Sequence, residues 1–417
     1  MYGLVGKNLK HSFSKEIHHL LGNKSYELFS TNSIKDFIKE NHDLSGINVT
    51  IPHKTDIIPY LDDLDSVAKE TYSVNTVINK NGKLIGYNTD YYGLDKLLKY
   101  NKIDIKNKRV VILGNGSVSK TVLKLINDKN AKSVIRLCRT VRSGNDFLFS
   151  EYKKFLHYDI LINTTPVGMY PHNDDSLLIK IKDFHHLETV IDLVYNPLRS
   201  KLIIEAEKNK IKAVNGLYML VMQAIKAHEL FFNVEISSSI ANKIYREIYL
   251  KHLNIVFVGL PLSGKSKYSK SISNLFSKDI FDTDQIIEKE ANLSINSIFE
   301  TYGEKYFRDL ETKVIRKLYK LQNLVISTGG GMIENSKNMD LLKQNGIIFF
   351  LNKDPNKIAK KTIYNRPLLK QPENILVLSG RRFPLYKKHS DFIININFDT
   401  KTHINEIKGY INEYINS

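Results

Sequence analysis

The stretch Gly259-Leu-Pro-Leu-Ser263-Gly264-Lys265-Ser266 constrains this chain more than any other, because it works only as the turn between a buried strand and a helix N-terminus. It follows the apolar run Asn254-Ile-Val-Phe-Val and opens onto Lys267-Tyr-Ser-Lys-Ser-Ile-Ser-Asn-Leu-Phe, which reads as strand, glycine loop, helix. In that setting backbone N–H groups and a helix N-terminus point at a polyphosphate, Lys265 reaches its terminal phosphates and the Ser266 hydroxyl can ligate magnesium. ATP and Mg2+ are the expected ligands of the second half, and phosphoryl transfer the expected chemistry. A second glycine loop, Gly114-Asn115-Gly116-Ser117-Val-Ser119-Lys, follows the strand Arg109-Val-Val-Ile-Leu in the first half, so the chain is composite.

Two nucleotide loops in 417 residues exceed what one compact core usually holds and imply roughly two to four domains. The formal charge of +17 comes from lysines spread through the chain rather than blocked into a basic arm, which reads as solvated surface and not as a nucleic-acid site. Such a field also draws in small polyanions, including ATP, NADPH and carboxylate substrates. A single cysteine, Cys138, excludes an intramolecular disulfide framework and any multi-cysteine metal site. The N-terminus lacks an apolar core of signal-peptide length, and the longest apolar runs are strand-sized. The expectation is a cytoplasmic protein whose partners are small molecules, with no nucleic acid and no membrane; monomer and homodimer are equally open.

Short apolar strands alternate with amphipathic stretches from end to end, the pattern of parallel sheets covered by helices, so the fold class is α/β throughout. Residues 1–99 read as one α/β unit, completed by helices within 216–250, residues 100–215 as a Rossmann-like dinucleotide unit, and residues 253–417 as the P-loop unit. No Pro/Gly/Ser-rich linker separates the last from the rest.

In the first half, Gly114 serves the tight turn and Gly116 the backbone approach to a pyrophosphate, while Ser119 stands where close helix-strand packing usually takes Gly or Ala. About twenty residues on, where an acidic residue would hold the ribose hydroxyls of NAD, the sequence reads Arg136-Leu-Cys-Arg139-Thr140-Val-Arg142. Cationic groups there fit a 2′-phosphate, hence NADP(H). Nearer the N-terminus, Ser12, Ser14, Thr50, Lys54, Asn75 and Asp90 fall at strand ends and turns. Small hydroxyls and amides suit a polyhydroxylated carboxylate, and a Lys/Asp pair can handle the proton that carbonyl reduction demands.

Over its first 250 or so residues the sequence resembles the shikimate dehydrogenase family, in the blocks above and in Ile162-Asn-Thr-Thr-Pro166-Val-Gly168-Met, Asp192-Leu-Val-Tyr195-Asn-Pro197 and Gly216-Leu-Tyr-Met-Leu220-Val-Met-Gln223-Ala. The resemblance implies Lys54 and Asp90 as the catalytic dyad, and Ser12, Ser14, Thr50, Asn75, Tyr195 and Gln223 as substrate contacts. It implies Gly114, Asn115, Gly116, Ser117, Arg139, Thr140, Arg142 and Gly216 around NADP. Tyr72-Ser73 stands where the family usually has Gly-Ala.

In the second half, Asp282 and Asp284 at i and i+2 would share one face at a strand end, one for the magnesium shell and one for an attacking hydroxyl. Arg308 and Glu311 at i and i+3 share a helix face, where the guanidinium can grip a carboxylate. Gly329 to Gly331 follow the strand Leu324-Val-Ile-Ser-Thr and allow close backbone approach to a ligand. Together with Arg366 and Arg382 these motifs resemble the shikimate kinase family across about residues 253–417. The resemblance implies Gly259, Ser263, Gly264, Lys265, Ser266 and Arg366 for ATP, with Lys265 also catalytic and Ser266 and Asp282 for Mg2+. Asp284 would act on the acceptor hydroxyl, with Arg308, Gly330, Gly331 and Arg382 holding the acid. Leu262 stands where that family carries Gly, and the approach from Lys361 to the lid residue Arg366 is short, which predicts weakened rather than absent ATP binding.

The two resemblances imply one bifunctional enzyme of aromatic amino acid biosynthesis, carrying the NADPH-dependent reduction of 3-dehydroshikimate and the ATP-dependent phosphorylation of shikimate. The alternative is a shikimate or quinate dehydrogenase whose C-terminal domain is inactive, regulatory, or directed at another small polyol.

Overall fold

The computed structural model describes residues 1–9, 12–41, 43–360 and 373–416, in two compact units, Met1–Ile248 and Tyr249–Ser417. The first unit contains two sheets. Strands β1 (Tyr2–Gly6), β2 (Tyr26–Ser30), β3 (Gly46–Val49), β4 (Asp63–Leu64), β5 (Thr76–Lys80) and β6 (Lys83–Tyr87) form one in the order β2-β1-β3-β5-β6-β4. β1 runs parallel to both its neighbours, whereas β5 is antiparallel to β3 and β6. The C-terminal ends of β3 and β6 and the N-terminal end of β5 therefore meet at one edge, where Thr50, Asn75 and Asn88-Thr89-Asp90 lie.

The helix Leu217–Phe232 packs back on the helix Thr89–Tyr100. Gly93 makes that approach possible, since a β-carbon there would meet the Met219 carbonyl at 2.5 Å and the Gln223 nitrogen at 3.1 Å. This brings Gln223 to a strand edge laid down more than a hundred residues earlier.

The second sheet is all parallel: β7 (Arg109–Leu113), β8 (Ser133–Cys138), β9 (Asp146–Leu148), β10 (Ile160–Asn163), β11 (Thr189–Asp192) and β12 (Lys212–Asn215) in the order β12-β11-β10-β7-β8-β9. Its central strands are buried on both faces, which is why Val110 to Leu113 and Ile160 to Ile162 read as unbroken apolar runs. The chain reverses direction across the sheet between β7 and β10, and in open α/β sheets ligands bind outside the strand ends at such a point.

The second unit is a five-stranded parallel sheet, β13 (Asn254–Val258), β14 (Asp279–Asp282), β15 (Leu324–Ser327), β16 (Gly346–Asn352) and β17 (Phe392–Asn395), in the order β14-β15-β13-β16-β17. Val256, Ile326, Ile348 and Phe350 build its core with Val314, Ile315 and Tyr386 from the flanking helices. The helix Ser238–His252 ends one residue before β13. Among the described residues, no helix is long and apolar enough to cross a membrane.

Candidate functional site

In the first unit, Lys54 sits in the turn after β3 and Asp90 in the first turn of the helix that follows β6. The Lys54 Nζ lies 2.6 Å from Asp90 Oδ2, with the residues only 7% and 6% exposed. Burial of an ion pair is tolerated only where further hydrogen bonds satisfy it, and removing one partner strands the other charge. The second oxygen, Oδ1, accepts from Asn75 Nδ2 at 2.9 Å. The same amide is 3.3 Å from Gln223 Oε1, while its carbonyl oxygen accepts from the Thr89 backbone N–H at 2.7 Å. Lys54, Asp90, Asn75 and Gln223 thus form one buried network.

A second cluster joins Ser12, Ser14 and Tyr195. Ser12 Oγ donates to Ser14 Oγ at 3.1 Å and bonds the Tyr195 hydroxyl, whose burial raises its pKa to about 12, so it remains a neutral phenol. Asp192 anchors the start of that loop by accepting from Asn163 Nδ2, the Ser200 hydroxyl and the Val194 N–H. Burial pushes Asp192 up to about 6 against the pull of those donors. Thr50 follows β3 directly, tied by its N–H to the Val5 carbonyl at 2.9 Å.

At the switch point, Gly114 has φ +98°, and a β-carbon on it would meet the Thr164 hydroxyl and Thr165 methyl at 3.0 Å. Gly116 opens the helix Ser117–Asp128, and a β-carbon on it would meet no atom within 4 Å, leaving space for a pyrophosphate against the helix N-terminus. Ser119 is fully buried and donates to the Gly114 carbonyl at 2.8 Å, so the hydroxyl closes the turn where the usual Gly or Ala would only make room. Asn115 Nδ2 donates to the Thr140 carbonyl at 2.8 Å and links this turn to the end of β8. The three arginines in and after β8 divide. Arg136 is bonded through Nε to the buried Asp146 at 2.6 Å, whereas Arg139 and Arg142 are exposed and neither guanidinium has an ion pair among the described residues. Those two remain available as the cations the sequence led one to expect at a 2′-phosphate. Gly216 caps the helix Leu217–Phe232 and abuts the Leu193 carbonyl, in the segment that carries Tyr195.

In the second unit the P-loop takes the form a phosphate cradle requires. Gly259 and Gly264 have φ of +151° and +102°, and Lys265 Nζ folds over the loop to the carbonyls of Gly259 and Leu260 at 2.9 and 3.0 Å. Ser263 is buried under the turn. Leu262 adopts φ +63° and is 37% exposed, so its β-carbon strains the backbone of the loop. Ser266 Oγ lies 3.3 Å from Asp282 Oδ2, a hydroxyl and a carboxylate of the kind magnesium takes.

Asp282 and Asp284 do not sit on one strand face as the spacing suggested. β14 ends at Asp282, which caps the helix Thr283–Ala291 by accepting from the Asp284 N–H at 3.0 Å, because a carboxylate gains more from an orphan helix N–H than from one more strand residue. Both still line a cavity of about 630 Å³ together with Ser266, Arg308, Arg382 and the triple glycine. Arg308 lies in the helix stretch after Gly303, whose φ of +79° breaks the run Ile295–Leu318 in two. Its guanidinium is held by Glu311 and Glu304, each at 2.7 Å. Arg382 is 2% exposed and bonded through Nε to Glu334 at 2.7 Å, while its buried Nη2 has no partner among the described residues. Glu334 escaped the sequence reading, since nothing in Met332-Ile-Glu marks it as the partner of an arginine 48 residues on. Tyr386 OH fixes the Gly330 carbonyl at 2.6 Å. Arg366 and its approach from Lys361 lie outside the described residues.

A dinucleotide fold with a buried Lys/Asp pair, followed by a P-loop fold with a carboxylate and arginine cavity, defines a nucleotide-dependent oxidoreductase joined to a phosphotransferase. The chain belongs to the shikimate dehydrogenase family. Residues 4–77 match the family model of the shikimate dehydrogenase substrate binding domain, and residues 261–412 that of shikimate kinase. The shikimate dehydrogenase (NADP(+)) of Clostridium perfringens is 36% identical over 274 residues, which takes in 60% of this chain and 98% of that protein. That of Thermoplasma acidophilum is 34% identical over 269 residues, 62% of this chain and 97% of its own. Among solved structures, a chorismate mutase/shikimate 5-dehydrogenase fusion protein from Clostridium acetobutylicum shares 31% identity at a TM-score of 0.56, covering 59% of this chain and 96% of that one. The Thermus thermophilus shikimate 5-dehydrogenase in complex with NADP(H) and shikimate shares 26% at 0.52, covering 59% and 98%.

Proposed function

We propose that this chain is a bifunctional enzyme that reduces 3-dehydroshikimate to shikimate and then phosphorylates the 3-hydroxyl of shikimate. NADPH supplies the hydride of the first reaction and magnesium-bound ATP the phosphoryl group of the second. In the first site the Lys54 ammonium delivers a proton to the developing alkoxide oxygen, Asp90 holds and aims that ammonium, and Asn75 pins Asp90. Ser12, Ser14 and Tyr195 read the carboxylate, while Thr50, Asn75 and Gln223 read the ring hydroxyls. Arg139, Thr140 and Arg142 hold the 2′-phosphate, and Gly114 to Ser117 with Gly216 line the rest of the cofactor cleft. In the second site Asp284 orients the attacking hydroxyl, Arg308 and Arg382 grip the carboxylate beside Gly330 and Gly331, Ser266 and Asp282 hold the metal, and Lys265 neutralises the transferring group. Arg366 remains the proposed lid cation. We divide the chain functionally at 99, 215 and 253 as the sequence suggested, and place the enzyme in the cytoplasm on its single buried cysteine and its soluble substrates.

The observation that carries the reading is convergence: each unit gathers its proposed reacting groups, from distant stretches of sequence, into one buried network or one cavity. The test is a coupled assay with 3-dehydroshikimate, NADPH, ATP and magnesium on wild type, Lys54→Ala and Lys265→Ala. Lys54→Ala should abolish only NADPH consumption, and Lys265→Ala only ADP release from added shikimate. A wild-type chain with neither activity rules the proposal out.

A further inference from the structure

Three consecutive residues, Ser73, Val74 and Asn75, touch three parts of the reducing site. Ser73 Oγ lies 2.6 Å from Oγ of Ser117, the first residue of the helix that follows the glycine loop. The Val74 N–H donates to the Lys54 carbonyl at 2.8 Å. Asn75 Nδ2 donates to Asp90 at 2.9 Å. One turn along the same helix, Thr121 Oγ1 accepts from Nδ2 of Asn88 at 2.9 Å, and Asn88 immediately precedes Thr89-Asp90. Ser117 and Thr121, at i and i+4, share a helix face. That face meets both arms of the dyad, the one through Ser73 that runs to Lys54 and Asn75, and the one through Asn88 that runs to Asp90.

The contacts are of the kind that transmit position. Ser73, Asn88 and Thr121 are all buried, so the Asn88–Thr121 bond is shielded from water and the Ser73–Ser117 bond is shielded on the Ser73 side. The ion pair Lys124 to Glu70 and the Lys120 ammonium over the Tyr72 ring flank them at the rim, where solvent and salt weaken such contacts.

We propose that the Ser117/Thr121 face couples cofactor binding to the geometry of the Lys54–Asp90 pair, with Ser73 and Thr121 as positioning residues. A pyrophosphate seated on the turn Gly114 to Ser117 fixes the start of this helix, and the helix passes that placement to Ser73 and Asn88. By linkage the acid substrate tightens the cofactor by the same factor. The inference rests on the dehydrogenase reading of the first unit.

The experiment is calorimetric titration of the full chain with NADP+, alone and with saturating 3-dehydroshikimate, an oxidised pair that cannot react. The ratio of the two dissociation constants is the coupling factor. Ser73→Ala and Thr121→Val should each lower it by about 3-fold or more, while Thr121→Ser, which keeps the hydroxyl, retains it. The double variant Ser73→Ala/Ser117→Ala should lose no more coupling than the single ones, because both remove one shared contact. Should Thr121→Val melt below the assay temperature, the Ser73/Ser117 cycle decides alone. A wild-type coupling factor of one, unchanged coupling in Ser73→Ala, or additive losses in the cycle would overturn the inference while NADPH turnover leaves the dehydrogenase reading standing. Absence of any NADP+ binding by the wild type would overturn both.

Discussion

The Arg308 guanidinium lies so close to Gly331 that a β-carbon there would come within 2.3 Å of both of its terminal nitrogens. Gly331 has φ −93°, ordinary for any L-residue, so it is the neighbour and not the backbone that requires glycine. Arg308 cannot simply yield, since Glu311 and Glu304 hold its two Nη atoms.

Gly331→Ala is therefore expected to turn the guanidinium away from the cavity while the fold persists. Misplacing a positioning group by about 1 Å can lower turnover on the order of 100-fold. Steady-state kinetics should show the kinase reaction falling by that order, with a raised KM for shikimate and an unchanged dehydrogenase rate. An unaltered kinase KM would refute the assignment of Arg308 to the acid.

Glu311 gives the second unit a pH dependence of unusual sign. Burial, with the nearby Asp284 carboxylate, raises its pKa from 4.5 to about 7 in spite of Arg308. Between those two values the folded chain keeps a proton that the unfolded chain has lost, so this group makes stability fall as pH rises. The penalty is absent below that window and fully present above it. Glu311→Gln cannot ionise, and the thermal midpoint of the variant relative to wild type should rise between about pH 5 and about pH 8. A difference that stays flat, or shrinks, over that range would show that Glu311 is ionised throughout.

Leu262 tests what a side chain does inside the phosphate turn. A left-handed conformation costs an L-residue about 1–2 kcal/mol, and the added freedom that glycine gives the unfolded chain offsets about 0.4–1 kcal/mol of the relief. Leu262→Gly should thus change stability by no more than about 1.6 kcal/mol, in the stabilising direction, and lower the KM for ATP. Leu262→Val, β-branched at a positive φ, should destabilise the loop and raise that KM. Chemical denaturation with ATP kinetics on the two variants separates these outcomes, and a Gly variant that binds ATP more weakly than wild type would contradict the argument.

What could be read from the sequence divides along physical lines. The P-loop was legible because strand, turn and helix are contiguous and each residue type answers to a local backbone demand. Lys54 and Asp90 could be read from residue type as groups that handle a proton, but their role as a catalytic dyad came only through resemblance to a family, since no local rule joins residues 36 apart. Gln223 reaches them because Gly93 lets two helices close up, a tertiary event with no signature beyond a lone glycine. The Asp282/Asp284 spacing misled because strand periodicity was assumed one residue past the point where the helix begins. Glu304 and Glu334, the partners of the two proposed carboxylate-binding arginines, were not singled out, because a surface-type Glu in sequence gives no sign of what it will face.

The arginines in and after β8 show how structure refines such a reading, and they set the last prediction. Sequence offered three cations for the 2′-phosphate, but Arg136 is committed to Asp146, whose other oxygen accepts from the Arg142 N–H at 2.9 Å. Arg136 therefore shapes the loop, while Arg139 and Arg142 present their guanidinium groups to solvent. A hydrogen bond to a charged group contributes about 1.5–3 kcal/mol, so removing both exposed guanidinium groups should reduce the preference for NADPH over NADH at least about 10-fold. The double variant Arg139→Ala/Arg142→Ala should do this by raising the KM for NADPH with little change for NADH, which lacks the phosphate. Arg136→Ala should instead strand the buried Asp146 carboxylate, lowering the thermal midpoint and weakening both cofactors alike. Paired kinetics with the two cofactors decide it: a preference that survives loss of Arg139 and Arg142 would mean that the phosphate is held elsewhere on this sheet.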